Sequence, residues 1–243
     1  SHPSYLDDVN VQSIAPVKPN VAHHLLLADD FNDNALDTGK WQVNPFDGSA
    51  TEQNDRMELL GRDHLVTASE FDPLDTSGLR VAGIWQFDSS DDFMQILTRS
   101  DGIPSGTWGE TQNGIEFVAS ATSDNMTIRG RGSASVTGAT TESLTIGAGS
   151  TFMFEVLDDG ANLTLTMTEI GGLGQMATVT ATSLTDMPTD YIVFHGREGS
   201  RLSYLDNVYI SSLAIPEPAA VLLLALGAPV VFLGWGRKRK KRG

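Results

Sequence analysis

Leu163-Thr164-Leu165-Thr166-Met167-Thr168 alternates apolar and threonine residues without a break. Successive side chains of an extended chain point to opposite faces, so this stretch predicts a β-strand with one buried face and one solvated face. Phe152–Leu157 precedes it across Asp158-Asp159-Gly160-Ala161-Asn162, and those turn-forming residues predict a hairpin. Working outward, Arg56–Leu60, His64–Ser69, Leu79–Phe87, Phe93–Thr98, Ile115–Ala121, Met126–Arg129, Ala177–Thr182, Tyr191–His195 and Leu205–Ser211 read as further strands. Thr is frequent, Gly totals 24, and no long 3.6-residue periodicity occurs before residue 215. Residues 21–214 are therefore expected to form one all-β antiparallel sandwich. The pattern leaves a jelly roll and an immunoglobulin-like sandwich both open. Length favours the larger fold, since immunoglobulin-type domains need only about 100 residues.

Charge is distributed unevenly along the 243 residues. Six of the 16 basic residues (Arg237 to Arg242) and one of the 31 acidic ones (Glu217) lie beyond Pro216, which leaves 10 against 30 and a net charge of −20 for residues 1–216. Such a surface repels nucleic acid and anionic lipid and suits cations or neutral glycans, so nucleic-acid binding is excluded. Cysteine is absent, which rules out disulfides and thiolate metal sites.

Pro216-Glu217-Pro218 is followed by Ala219–Trp235, 17 residues without a charge, and then by the basic cluster. As a helix that run spans roughly 25 Å, at the short end of what crosses a bilayer. A core helix would show a polar face, and this segment has none. The basic end marks the cytoplasmic side, which places the preceding residues outside the membrane. Segment 215–243 closely resembles the PEP-CTERM sorting signal of Gram-negative bacteria. The resemblance implies that an exosortase recognises Pro216, Glu217 and Pro218 as a sorting motif. It further implies delivery to the cell surface or an exopolysaccharide matrix, with the membrane helix as anchor before processing.

At the other end, SHPSYLDDVNVQS (1–13) matches SRLSYLDNVYISS (200–212) at seven of 13 positions. Residues 1–14 are accordingly expected to be the last strand of a preceding domain of the same kind, and 15–20 the linker. A signal peptide is expected upstream of Ser1, in a longer tandem-domain protein.

Asp29-Asp30-Phe31-Asn32-Asp33, with Leu36-Asp37 and Lys40-Trp41, resembles the opening of concanavalin A-like, laminin-G-like jelly rolls. Tyr204-Leu205-Asp206-Asn207-Val208-Tyr209-Ile210 is similar to their closing strand. The resemblance implies a jelly-roll sandwich whose first and last strands lie together, and a structural calcium ion held by Asp30 and Asp206. Calcium takes six to eight oxygen ligands, which a cysteine-free acidic domain can supply. No other cofactor is expected.

Glycoside hydrolases of this fold set carboxylates on one strand face, and the nearest candidates are Glu52, Asp55 and Glu58. On a single strand Glu52 and Glu58 would face one way and Asp55 the other, so they would not converge on a glycosidic bond. Asp88–Asp92 reads as a hairpin tip and Arg129-Gly130-Arg131 as an exposed turn. Trp41 and Trp85 read as core, and His64 and His195, far apart in sequence, as packing residues. Trp108, within Asp101–Gly114, is the aromatic placed to stack on a sugar. These residues together predict a non-catalytic surface or matrix module that binds glycan, such as extracellular polysaccharide, or mediates adhesion. The rivals are a glycan-active hydrolase and a ligand-free structural spacer.

Overall fold

The computed structural model of the chain describes residues 24–71, 78–105, 110–111, 113–172, 174–184, 190–196 and 202–213. The expectations for residues 1–20, for Trp108, for Pro216, Glu217 and Pro218, and for the apolar tail fall outside the described residues. Among the described residues no helix is long and apolar enough to cross a membrane.

The described residues form eighteen strands in chain order: β1 (Leu25–Asp29), β2 (Trp41–Asn44), β3 (Ser49–Glu52), β4 (Met57–Leu60), β5 (His64–Thr67), β6 (Leu79–Phe87), β7 (Phe93–Ser100), β8 (Pro104–Ser105), β9 (Glu110–Thr111), β10 (Gly114–Ser120), β11 (Asn125–Arg131), β12 (Val136–Thr137), β13 (Thr141–Ser143), β14 (Thr151–Asp158), β15 (Asn162–Glu169), β16 (Met176–Ser183), β17 (Tyr191–His195) and β18 (Leu202–Ser212). They form two antiparallel sheets and a small β8–β9 ribbon. The nine-stranded sheet runs β12-β16-β15-β14-β6-β18-β4-β3, with β1 also on β18; the seven-stranded sheet runs β13-β11-β10-β7-β17-β5-β2. Both inner faces contribute to one apolar core, in which Trp41, Trp85, Phe117, Phe152 and Phe194 are fully buried.

Periodicity explains the elements. In β15 the residues Leu163, Leu165 and Met167 enter the core, and the threonines between them stay half-buried. The β14–β15 hairpin forms as expected, with Asp158 opposite Leu163. Its turn is held by Asp159, whose Oδ1 accepts the N–H groups of Ala161 and Asn162 at 2.9 and 2.5 Å. The burial of Trp41 and Trp85 also agrees with their apolar character. Strands β1, β2 and β3 escape a periodicity search because they are short and lie among the acidic and asparagine-rich residues of 25–55.

Two readings of the sequence need correction. Residues 88–92 are not a hairpin tip, because β6 and β7 belong to different sheets and the segment crosses between them. Asp92 is buried at that crossing, where its Oδ1 accepts Phe93 N–H at 2.7 Å and its Oδ2 accepts the Ser203 hydroxyl at 2.6 Å. Arg129-Gly130-Arg131 is not a turn either, but the end of β11, paired to Glu116, Ile115 and Gly114 of β10.

The two sheets are also tied by a buried ion pair. Arg99 of β7 meets Asp158 of β14, its Nε at 3.0 Å from Oδ2, while the Thr98 hydroxyl donates to the same oxygen at 2.6 Å. Arg99 further donates to the Ser183 hydroxyl and the Gly160 carbonyl. Such a pair gives little net stability against an apolar substitute but is costly to break on one side.

Candidate functional site

The central strands of the seven-stranded sheet, β5, β17, β7 and β10, are buried on both faces. All seven residues of β10 and all but the first of β7 and β17 are buried, where a half-solvated strand would alternate. Alternation still assigns the faces. Met94, Ile96, Ile115, Phe117, Met126, Ile128, Ile192 and Phe194 belong to the main core, so the residues between them point outward.

Register places the outward residues in two rows. One runs Asn44, His64, His195, Gln95, Val118 and Thr127 across β2, β5, β17, β7, β10 and β11. The next runs Gln42, Val66, Val193, Leu97, Glu116 and Arg129 across the same strands. Val66, Leu97 and Val193 form an apolar cluster apart from the main core. The segment entering the β8–β9 ribbon folds onto this cluster: the Gly102 carbonyl accepts the Asn44 side-chain amide at 2.5 Å, and a Cβ on Gly102 would stand 2.9 Å from Val66.

His64 and His195 stack with ring centroids 4.6 Å apart, an approach that joins residues 131 positions distant in sequence. Burial, then the neighbouring His64, push His195 well below the ordinary histidine range. The ring is therefore neutral. Its Nδ1 lies 3.2 Å from the Gly196 carbonyl, which can only accept, so Nδ1 carries the proton and Nε2 a lone pair. Nε2 is buried and has no hydrogen-bond partner. A buried acceptor left this way costs on the order of 1–3 kcal/mol unless a donor reaches it.

Beside this row, Glu116 is 1% exposed and is held by two arginines. Arg129 donates through Nε, and Arg131 through Nε at 2.6 Å and a terminal nitrogen at 3.3 Å. Residues 129 and 131 share a face because their strand continues through Gly130, where a Cβ would collide with the Ala134 carbonyl oxygen. Both guanidinium charges reach His195 and help to keep it neutral. Sequence reading missed this site. The Arg-Gly-Arg spacing was a visible signal of two charges on one strand face, whereas Glu116 and the histidines join it only through strand pairing.

The residues singled out from the sequence fare differently. Asp30 follows β1, and Asp206 lies where β18 bulges opposite β6. β1 pairs with the later half of β18, with Leu27 opposite Ile210, so the two acids are neighbours. Asp206 is pushed up by burial, against the hydrogen bonds that its carboxylate accepts from Asn207, and the charge of Asp30 adds to the rise. Among the described residues no group of three His, Cys, Asp or Glu residues is arranged to hold a metal ion.

Glu52, Asp55 and Glu58 do not converge, though not for the reason expected. They span a hairpin, not one strand: Glu52 ends β3 opposite Met57, and Glu58 lies in β4 opposite Thr51. Glu52 is buried on the side of the core residue Met57, whereas Glu58 takes the other face, next to Arg56. Asp55 sits in the turn against Asn34. Burial and the adjacent Asp33 push Glu52 up.

The chain is an all-β, concanavalin A-like jelly-roll sandwich of the kind found in lectins and carbohydrate-binding modules. It is similar to the CBM2 module of the evolved Dit of Lactobacillus casei BL23 phage J-1, with 13% identity, a TM-score of 0.54, and 80% of this chain and 98% of that one covered. A Bacillus subtilis protein of galectin-like fold matches with 10% identity and a TM-score of 0.54, over 80% of this chain and 99% of that one. Basic winged bean lectin, solved with Tn-antigen, matches with 8% identity and a TM-score of 0.55, over 76% and 97%. At such identities the likeness is one of fold. No protein-family model matches the chain, and no curated protein matches it in sequence.

Proposed function

We propose that this protein is a non-catalytic glycan-binding or adhesive module of a Gram-negative cell surface or exopolysaccharide matrix, sorted there by an exosortase that reads Pro216, Glu217 and Pro218. One observation carries the binding role: the outward row of the seven-stranded sheet holds the His195 Nε2 acceptor, buried and without a partner, beside Gln95. A sugar hydroxyl donating to that nitrogen would satisfy it, with the apolar cluster of Val66, Leu97 and Val193 next to it. Trp108, between β8 and β9, is the aromatic proposed to stack on the sugar.

The test is a glycan array probed with the full 243-residue chain and with His195→Gln. Binding by the parent chain that falls at least tenfold in the variant is expected, and an array silent for the parent chain would leave the spacer. The hydrolase reading is disfavoured because Glu52, Asp55 and Glu58 lie on opposite faces and in a turn. For sorting, mass spectrometry of the mature C-terminus in the native host is decisive, since a chain still ending in Arg and Lys would sink the exosortase step.

Calcium belongs to the same reading. Two neighbouring carboxylates, one of them pushed up partly by the other, form a pair that a divalent cation would relieve, with carbonyls and water completing its oxygen shell. Millimolar calcium is expected to raise the melting temperature of the parent chain by a few degrees and that of Asp206→Asn not at all. Equal shifts would remove the ion from Asp30 and Asp206.

A further inference from the structure

Glu52, the last residue of β3, is 6% exposed, and its Oε1 is sealed from solvent without a hydrogen-bond partner. Pairing sets it beside Met57 and, one strand further, Leu205, so it enters the inner side of the nine-stranded sheet at the edge. Other buried carboxylates have donors. Asp63 accepts the Phe46 and Gly48 N–H groups, Asp158 the Arg99 guanidinium, and Glu116 that of Arg129. Glu52 instead meets a second carboxylate, Asp33, which lies within hydrogen-bonding reach of it. Asp33 is exposed, and its Oδ1 accepts the Ala35 N–H at 3.0 Å. Burial, then Asp33 and the charge of Asp29, push Glu52 up, and the Ala35 N–H offsets only part of the rise. The nearest basic residues in sequence are engaged elsewhere, Lys40 by Asp29 and Asp37 and Arg56 by Glu58. Two carboxylates in contact do not both stay ionised unless a positive charge joins them.

We propose that Glu52 and Asp33 hold a magnesium ion that clasps the loop after β1 to the β3 edge. An ion between the two acids supplies the positive charge that no basic side chain brings there, and it gives the buried Glu52 carboxylate a partner. Magnesium is bound through one or two carboxylates and keeps several waters, whereas calcium takes six to eight oxygen ligands. One buried and one exposed carboxylate at a sheet edge make the first kind of site and fall short of the second. The pair is separate from Asp30 and Asp206, because Asp206 follows the core residue Leu205 along β18 and takes the opposite face. The ion is also independent of glycan binding, which is assigned to the other sheet.

The test follows thermal unfolding of the full chain in EDTA, in magnesium chloride and in calcium chloride. At ten times its dissociation constant a bound ion multiplies the folded-to-unfolded ratio about elevenfold, which is about 3–6 °C for a domain of this size. Magnesium is expected to raise the melting temperature of the parent chain and of Asp206→Asn by that amount, and that of Glu52→Gln and Asp33→Asn not at all. Asp33→Asn alters an exposed side chain and keeps the result readable should Glu52→Gln fail to fold. Titration calorimetry of magnesium into Asp206→Asn should show one site, lost in Asp33→Asn. Equal shifts in all four chains, or none in the parent, would overturn the site. A melting temperature that rises on acidification to about pH 5 without any response to magnesium would also overturn it, assigning the pair a shared proton. A calcium shift in Asp206→Asn equal to that of magnesium would overturn the choice of ion.

Discussion

The outer faces of the two sheets carry opposite chemistry. On the nine-stranded sheet Thr164 and Thr166 of β15 stand opposite Thr180 and Thr178 of β16, with Thr166 and Thr178 hydroxyls 3.0 Å apart. Along β15 and β16 that face is a ladder of threonines, and β6 and β14 continue the alternation with half-buried residues that include Arg80, Ile84, Met153 and Glu155. On the seven-stranded sheet the outward positions hold stacked histidines, aliphatic residues and a carboxylate, all buried, under two arginines of which Arg129 is exposed. A sheet needs an apolar inner face to fold, whereas its outer face is free to serve solvation or recognition. The threonine ladder is what a featureless spacer would display, and it lies on the sheet opposite the candidate site.

Three substitutions probe that contrast, in order of expected effect on stability. Gly130→Ala puts a methyl group against the Ala134 carbonyl oxygen, and with no flexible side chain to give way it is expected to cost about 1–3 kcal/mol in chemical denaturation. A smaller loss would mean that the 134–135 backbone shifts easily and that the two arginines are not rigidly aligned.

The second probe is acid. His195 is neutral in the fold and titrates near 6.5 when unfolded, so below that pH the unfolded chain binds a proton that the fold refuses. Its contribution is intact above pH 6.5 and declines on acidification, by at most about 1.4 kcal/mol per pH unit. Denaturation midpoints measured from pH 8 to 5 should fall less steeply for His195→Gln. Parallel slopes would show that the histidine is not kept neutral. On the solvated side, Thr166→Val should change stability by less than about 0.5 kcal/mol and leave glycan binding intact. Altered binding there would move the site to the wrong sheet.

Legibility followed the range of the interactions. The eleven strands read from alternation are all present, most of them within two or three residues of the expected ends, because period-two burial is a local signal. The 88–92 segment was misread because acidic turn residues look alike whether the chain folds back in one sheet or crosses to the other. Arg129-Gly130-Arg131 was misread because glycine between charges usually marks a turn, whereas here close approach of the Ala134 backbone requires it within a strand. The opening and closing motifs did locate neighbours, since β1 and β18 pair at the ends of the domain.

The sequence by itself determined the all-β class, the hairpin at 158–162 and the burial of Trp41 and Trp85, since each follows from the polarity and spacing of nearby residues. Only the tertiary structure decided which distant residues share a sheet face. His64 meets His195, and Glu116 meets Arg129 and Arg131, through strand order and register, and long-range pairing is not encoded in any one segment.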